Sequence, residues 1–134
     1  MSEPVSPRCR LPVPFPSGET EQTVLVLLRR MAVHGLHDAN ATVLAIDRFG
    51  TGFRKPLVLL RCFLLELARA SRRNIAIAPC CAPRMTRDEG LMIEAIGNPA
   101  LDLLAALTDA DEVGRIMSAA HALRRELYER AVAG

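Results

Sequence analysis

"PLVLLRCFLLELARASR", residues 56–72, is apolar at ten of the twelve positions from Leu57 to Ala68, all but Arg61 and Glu66. Pro56 suits a helix start, because its φ is already helical and no partner is needed there for the missing N–H. The stretch predicts a helix from Pro56 to about Arg72. A helix apolar nearly all round is either the centre of a core or an oligomer interface. Its uninterrupted apolar runs fall far short of the roughly 20 residues that a membrane span needs. Cys62 reads here as one more small apolar residue in the packing.

The flanking segments are helical too. Upstream, Leu25, Leu28, Ala32 and Leu36 keep the 3–4 period and predict a helix from Ser17 or Thr20 to His34, with Arg29 and Arg30 pointing outward. Gly35 ends it. Asp38 then caps a short helix, Ala39–Arg48, that finishes near Gly50 and Gly52. Downstream, Thr86 to Glu89 form a capping box that starts a helix running to Ile96. Asn98-Pro99 restarts at once, giving a helix to about Leu107. A last helix begins near Asp109, where Asp111 and Glu112 match the helix dipole, and Arg124, Arg125 and Arg130 load its end. Residues 1–18 contain five prolines and no period, and read as a flexible arm, extended or disordered, able to dock Leu11, Val13 and Phe15. The expected fold is all-α: one domain, residues 19–134, a compact bundle of five or six short helices with a short extended segment near 75–83.

A chain of 134 residues is large enough to bury a core without disulfides or metal. Its net charge of +2 hides an asymmetry: residues 29–87 hold eleven Lys/Arg and three Asp/Glu, whereas residues 88–134 hold four Arg and nine acids. Such halves complement each other within a fold or across a dimer. Aromatic content is 4% with no Trp, too little for a base-stacking platform. Glu3, the missing early basic cluster and the missing apolar run argue against a signal peptide. The expectation is a cytoplasmic, reducing setting in which four cysteines need no pairing. Cys9, in the arm, reads as an incidental thiol.

One stretch departs from helical filler: "NIAIAPCCAPRMTRDE", residues 74–89. Ala78 and Ala82 both precede proline and are pushed away from helical backbone. Cys80 and Cys81 therefore sit in an extended segment or a turn. Extended, their sulfurs diverge and serve packing; in a turn, they converge. A disulfide between them would be strained, since neighbouring Cα atoms lie about 3.8 Å apart and the usual range begins near ~4.4 Å. Arg84, Arg87 and the following helix start favour thiolate. Arg84, Thr86 and Arg87 are equally a candidate anion site. In "HGLHD", His34 and His37 are three apart, but Gly35 breaks the helix between them. The simpler account makes His34 a helix C-terminal residue and Asp38 a cap. A composite site of His34 or His37 with Cys80, Cys81 and Met85 has ligand types that suit zinc or copper.

Other chemistry is not favoured. His121 reads as a boundary residue. No Ser-His-Asp pattern and no CxxC pair occurs, and "GTGF" at 50–53 lacks the strand that a nucleotide fingerprint requires. A helix–turn–helix over 24–48 would put a single basic residue on its reading helix.

"RRMAVHGLHDANA", "FGTGFRKPLVLLR" and "IAIAPCCAPRMTRDE", spanning about residues 29–89, resemble a small uncharacterised alphaproteobacterial family, of the kind found in sphingomonads, defined as a domain of unknown function. The resemblance implies a bacterial cytosolic protein and supplies no activity, cofactor or catalytic residue.

Three readings of function follow. The first is a non-enzymatic helical protein that works by association, as a homodimer, with no membrane partner. The second is a small metal- or thiol-dependent protein centred on the Pro-Cys-Cys bend. The third, and weakest, is nucleic-acid binding through Arg29, Arg30, Arg69, Arg72 and Arg73.

Overall fold

In the computed structural model, which describes residues 11–71, 74–79, 81–108 and 113–129, six α-helices carry nearly all the regular structure. A two-residue strand β1 (Val13–Pro14) precedes α1 (Glu19–His34). Gly35 ends α1 at φ 107°, backbone that side-chain-bearing residues rarely adopt, and its N–H donates to Met31 O at 2.9 Å. Asp38 opens α2 (Ala39–Phe49) by accepting the Ala41 N–H at 2.9 Å. A tight turn, Gly50–Gly52, leads into α3 (Arg54–Ala70). Then come β2 (Arg84–Met85), α4 (Arg87–Gly97), α5 (Leu101–Leu107) and α6 (Val113–Arg124), which continues into a wider π turn, Arg125–Glu129.

The apolar α3 resolves into two faces. Leu57, Leu60, Phe63, Leu67 and Ala70 recur at three- and four-residue steps, and all five are buried. They pack chiefly against α6, whose Ile116, Ala120 and Leu123 complete the same core. Val58 and Leu65 are 48% and 39% exposed, and Cys62 is exposed between them. Cys62 is therefore not a packing residue, contrary to the sequence expectation. The helix also begins two residues before Pro56, which still falls in the first turn, where its missing N–H costs nothing. It stops at Ala70, where the Ser71 N–H donates to Leu67 O at 2.9 Å and the Ser71 hydroxyl donates to Leu107 O at 2.6 Å.

Two expectations for α1 are corrected. Arg29 does not point outward: it is 1% exposed, inside the bundle. Ala32, expected on the buried stripe, is exposed, because the buried arc runs through Val24, Leu25, Leu27, Leu28 and Met31 instead. The expected start of the last helix at Asp109, its first-turn acids Asp111 and Glu112, and Arg130 lie outside the described residues, as do residues 1–10 and Arg72 and Arg73.

The arm's described part is tied to the body. β1 pairs antiparallel with β2, Val13 opposite Met85, and Leu11 is buried. Gly90 makes room for this strand: a Cβ there would meet the Val13 methyls at 3.2 and 3.3 Å. Phe15 stays partly exposed, with the Arg29 guanidinium 5.9 Å from its ring centre.

Candidate functional site

The residues of the Pro-Cys-Cys bend are organised from beneath by a buried ion pair. Arg29 Nε and Nη2 donate to Glu89 Oε2 and Oε1 at 2.9 and 3.0 Å, and both side chains are wholly inaccessible to solvent. The guanidinium also donates to Ala82 O at 3.0 Å and Arg84 O at 2.7 Å. The Glu89 carboxylate accepts from the Ala78 N–H at 3.0 Å and the Thr86 N–H at 2.9 Å. The Thr86 hydroxyl accepts the Glu89 N–H at 3.0 Å, which completes the capping box, and donates to Ala76 O at 2.7 Å. Asp88 accepts the Ala76 N–H at 2.8 Å. In a segment with almost no sheet or helix pairing of its own, six backbone groups are thus satisfied by three side chains from one helix start and by one arginine.

The candidate residues fall into separate roles. Cys81 is exposed and Cys80 lies outside the described residues; the bend closes with Ala82 N–H donating to Pro79 O at 3.0 Å. Met85 is buried at 4% exposure, opposite Val13. Arg84 reaches back to the arm, donating to Leu11 O at 2.9 Å and Pro12 O at 3.0 Å. Thr86 is occupied by the cap, and Arg87 is exposed beside Asp88 and Leu91. His34 and His37 are both exposed around Gly35. Among the described residues, no group of three or more His, Cys, Asp or Glu is placed to hold a metal ion. Asp38 is the cap the sequence predicts, and Arg30 donates to it at 3.1 Å. Burial pushes the Asp38 carboxyl up, but the Ala41 N–H, the Arg30 guanidinium and His34 outweigh it and hold it below its ordinary value.

Of the arginines in the nucleic-acid reading, Arg29 is inside, Arg30 pairs with Asp38 and Arg69 lies 3.7 Å from Glu66. The charged halves meet within the fold, through Arg29–Glu89 and through Lys55–Glu126 at 3.7 Å.

Two apolar surfaces complete the description. Among the described residues, four of the seven large apolar residues that stand exposed (Val43, Ile46, Val58 and Leu65) belong to the α2–α3 hairpin. Arg61 spans the two helices, with Nη2 donating to Thr42 Oγ1 at 3.3 Å. Around the corner, α1 and α3 enclose a groove of about 490 Å³ with the extended segment before the bend. Met31, Val33, Leu36, Leu64, Ile75 and Ile77 are among its walls, and every described lining residue is apolar. Among the described residues, no helix is long and apolar enough to cross a membrane.

The fold and these surfaces define an all-α domain with a side-chain-pinned loop and an apolar outer face. Residues 6–133 match a family of unknown function (DUF6628), and the chain belongs to that family. No curated protein and no solved structure matches it.

Proposed function

We propose that this protein, in the bacterial cytoplasmic setting that its sequence resemblance implies, works by association and forms a homodimer through the outer face of α2 and α3. One observation carries the reading: among the described residues, four of the seven exposed large apolar side chains sit on this single hairpin. Scattered singly, such residues need no explanation, but their concentration on one hairpin suits an interaction surface. Val58, Cys62 and Leu65 follow one another at four and three residues, so they form a single stripe along α3. The stripe suits an isologous contact, in which the same patch on two copies meets itself. Sedimentation equilibrium at micromolar concentrations is expected to give a dimer, and Val43→Glu or Val58→Glu a monomer. A monomeric wild-type protein sinks the reading.

A second reading rests on the exposed Cys81 at a bend pinned from below by Arg29 and Glu89. A thiol held there, next to Cys80 in the chain and near a helix start, suits soft-metal or thiol chemistry, with zinc or copper as the candidate ions and His34 or His37 as further ligands. Elemental analysis of untagged protein, with thiol titration before and after unfolding, tests it. No bound metal together with unreactive native thiols rules it out.

A further inference from the structure

The groove between α1, α3 and residues 75–77 differs in kind from the hairpin face. Its volume of about 490 Å³ falls within the range of small-molecule pockets, ~300–1,000 Å³. Among the described residues its walls offer no side-chain hydrogen-bonding group, which favours a ligand with an apolar body, because a polar group seated against them gives up water partners for few replacements. Among the described residues, Arg61 is a cation tied to one wall residue without itself lining the groove. Arg61 Nε donates at 2.7 Å to the carbonyl of Leu36, a wall residue, and Arg61 lies one turn before Leu64 and Leu65 on α3.

Arg61 has capacity to spare. Its guanidinium carries five N–H donors. One on Nε goes to Leu36 and one on Nη2 to Thr42, which leaves both hydrogens of Nη1 and one of Nη2 without a hydrogen bond among the described residues. Arg30, Lys55 and Arg69 each have a carboxylate within 4.0 Å, whereas Arg61 has none among the described residues. The side chain is fixed by two hydrogen bonds, half-buried, and short of a counter-charge. A planar fork in that state fits a carboxylate or a similar oxyanion.

From this charge complementarity beside an apolar cleft, we infer that the groove binds an anionic amphiphile: an alkyl or acyl chain along the groove with its acidic head on Arg61. The site does not rest on the dimer reading, but it adjoins that face: Leu65 borders both surfaces and Arg61 bridges the hairpin, so the test uses a variant that cannot self-associate there.

The test uses decanoate below its micelle concentration, with decanol as the uncharged control, on the full chain carrying Val43→Glu to remove self-association. Methyl resonances of Val33, Leu36, Leu64 and Leu65 are expected to shift saturably. Arg61→Gln should weaken decanoate roughly tenfold, the scale of one charge-assisted hydrogen bond, and leave decanol unchanged. Ala68→Phe, which fills the groove without touching Arg61, should weaken both and keeps the test valid if Arg61→Gln does not fold. Equal loss of decanoate and decanol in Arg61→Gln overturns the inference. So do decanoate shifts confined to Val58 and Ile46. In wild-type protein, groove shifts that follow protein concentration instead of decanoate would assign the groove to a second copy, and overturn it as well.

Discussion

Arg29 and Val58 exchange the places that their chemistry would assign them: the guanidinium is inside the bundle and the valine is 48% exposed on its surface. The two departures differ in how they are compensated. Removing an ion pair from water costs several kcal/mol per ion, and mutual attraction offsets this only when the remaining hydrogen-bonding positions are filled as well. Around Arg29 and Glu89 each nitrogen and oxygen has a partner, and four backbone groups, Ala78 N–H, Thr86 N–H, Ala82 O and Arg84 O, are satisfied by the pair. Among the described residues, no buried side-chain nitrogen or oxygen lacks a partner. Nothing comparable surrounds Val58. A misplaced charge whose every nitrogen and oxygen has a partner is architecture, whereas misplaced apolar surface with no partner is a surface available for binding.

The largest effect is expected at the ion pair. Arg29→Met leaves the Glu89 carboxylate buried without its counter-charge, a change that costs about 3–5 kcal/mol. That is a large part of a typical total stability of about 5–15 kcal/mol. Urea unfolding followed by circular dichroism should register it. The double variant Arg29→Met/Glu89→Leu sharpens the contrast. Apolar replacement of a buried ion pair is often neutral, but here it strands the four backbone groups of the bend. The double variant should stay well below wild type, and recovery to within about 1 kcal/mol would show that the backbone contacts matter little.

The clamp was only partly legible in the sequence. The capping box from Thr86 to Glu89 could be read because both of its hydrogen bonds close within three residues. The partner of Glu89 lies sixty positions away on another helix, and no local pattern announces that pairing. One signal was available: Arg29 stands four residues after Leu25, on the same buried face of α1. The split of α3 into an inner and an outer face was illegible for the opposite reason. With ten of twelve positions apolar there is little contrast for a 3.6-residue period to reveal, and only packing against α6 decides which side is covered. The groove escaped the sequence because its walls come from segments distant in the chain.

A smaller effect is expected where a polar pair is only half covered. The Tyr128 hydroxyl donates to Glu21 Oε2, joining the turn after α6 to the start of α1. Burial, then the Glu21 hydrogen bond and charge, push the Tyr128 phenol above its ordinary value. Tyr128→Phe is expected to cost about 1 kcal/mol or less at neutral pH. The sign of the pH dependence follows from the raised value. The folded state holds the phenolic proton more tightly, so this contribution is fully present below the unfolded value, about 10, and declines as pH rises beyond it. Phenolate absorbance of this single tyrosine should appear at higher pH in the folded chain than in the urea-unfolded chain, and Tyr128→Phe should flatten the stability profile above pH ~10.

The smallest effect on stability should come from the hairpin face, and this decides between the two kinds of misplacement. If Val58 contributed to the fold as Arg29 does, Val58→Glu would lower stability as well as alter association. An exposed helix position away from caps and networks usually moves stability by no more than about 0.5 kcal/mol. Measured by urea unfolding at concentrations low enough to keep wild type monomeric, Val58→Glu should fall within that limit and still lose the dimer at high concentration. A destabilisation of several kcal/mol in the dilute monomer would place Val58 with the core. The outer stripe of α3 would then be part of the fold, and the dimer reading would lose its main support.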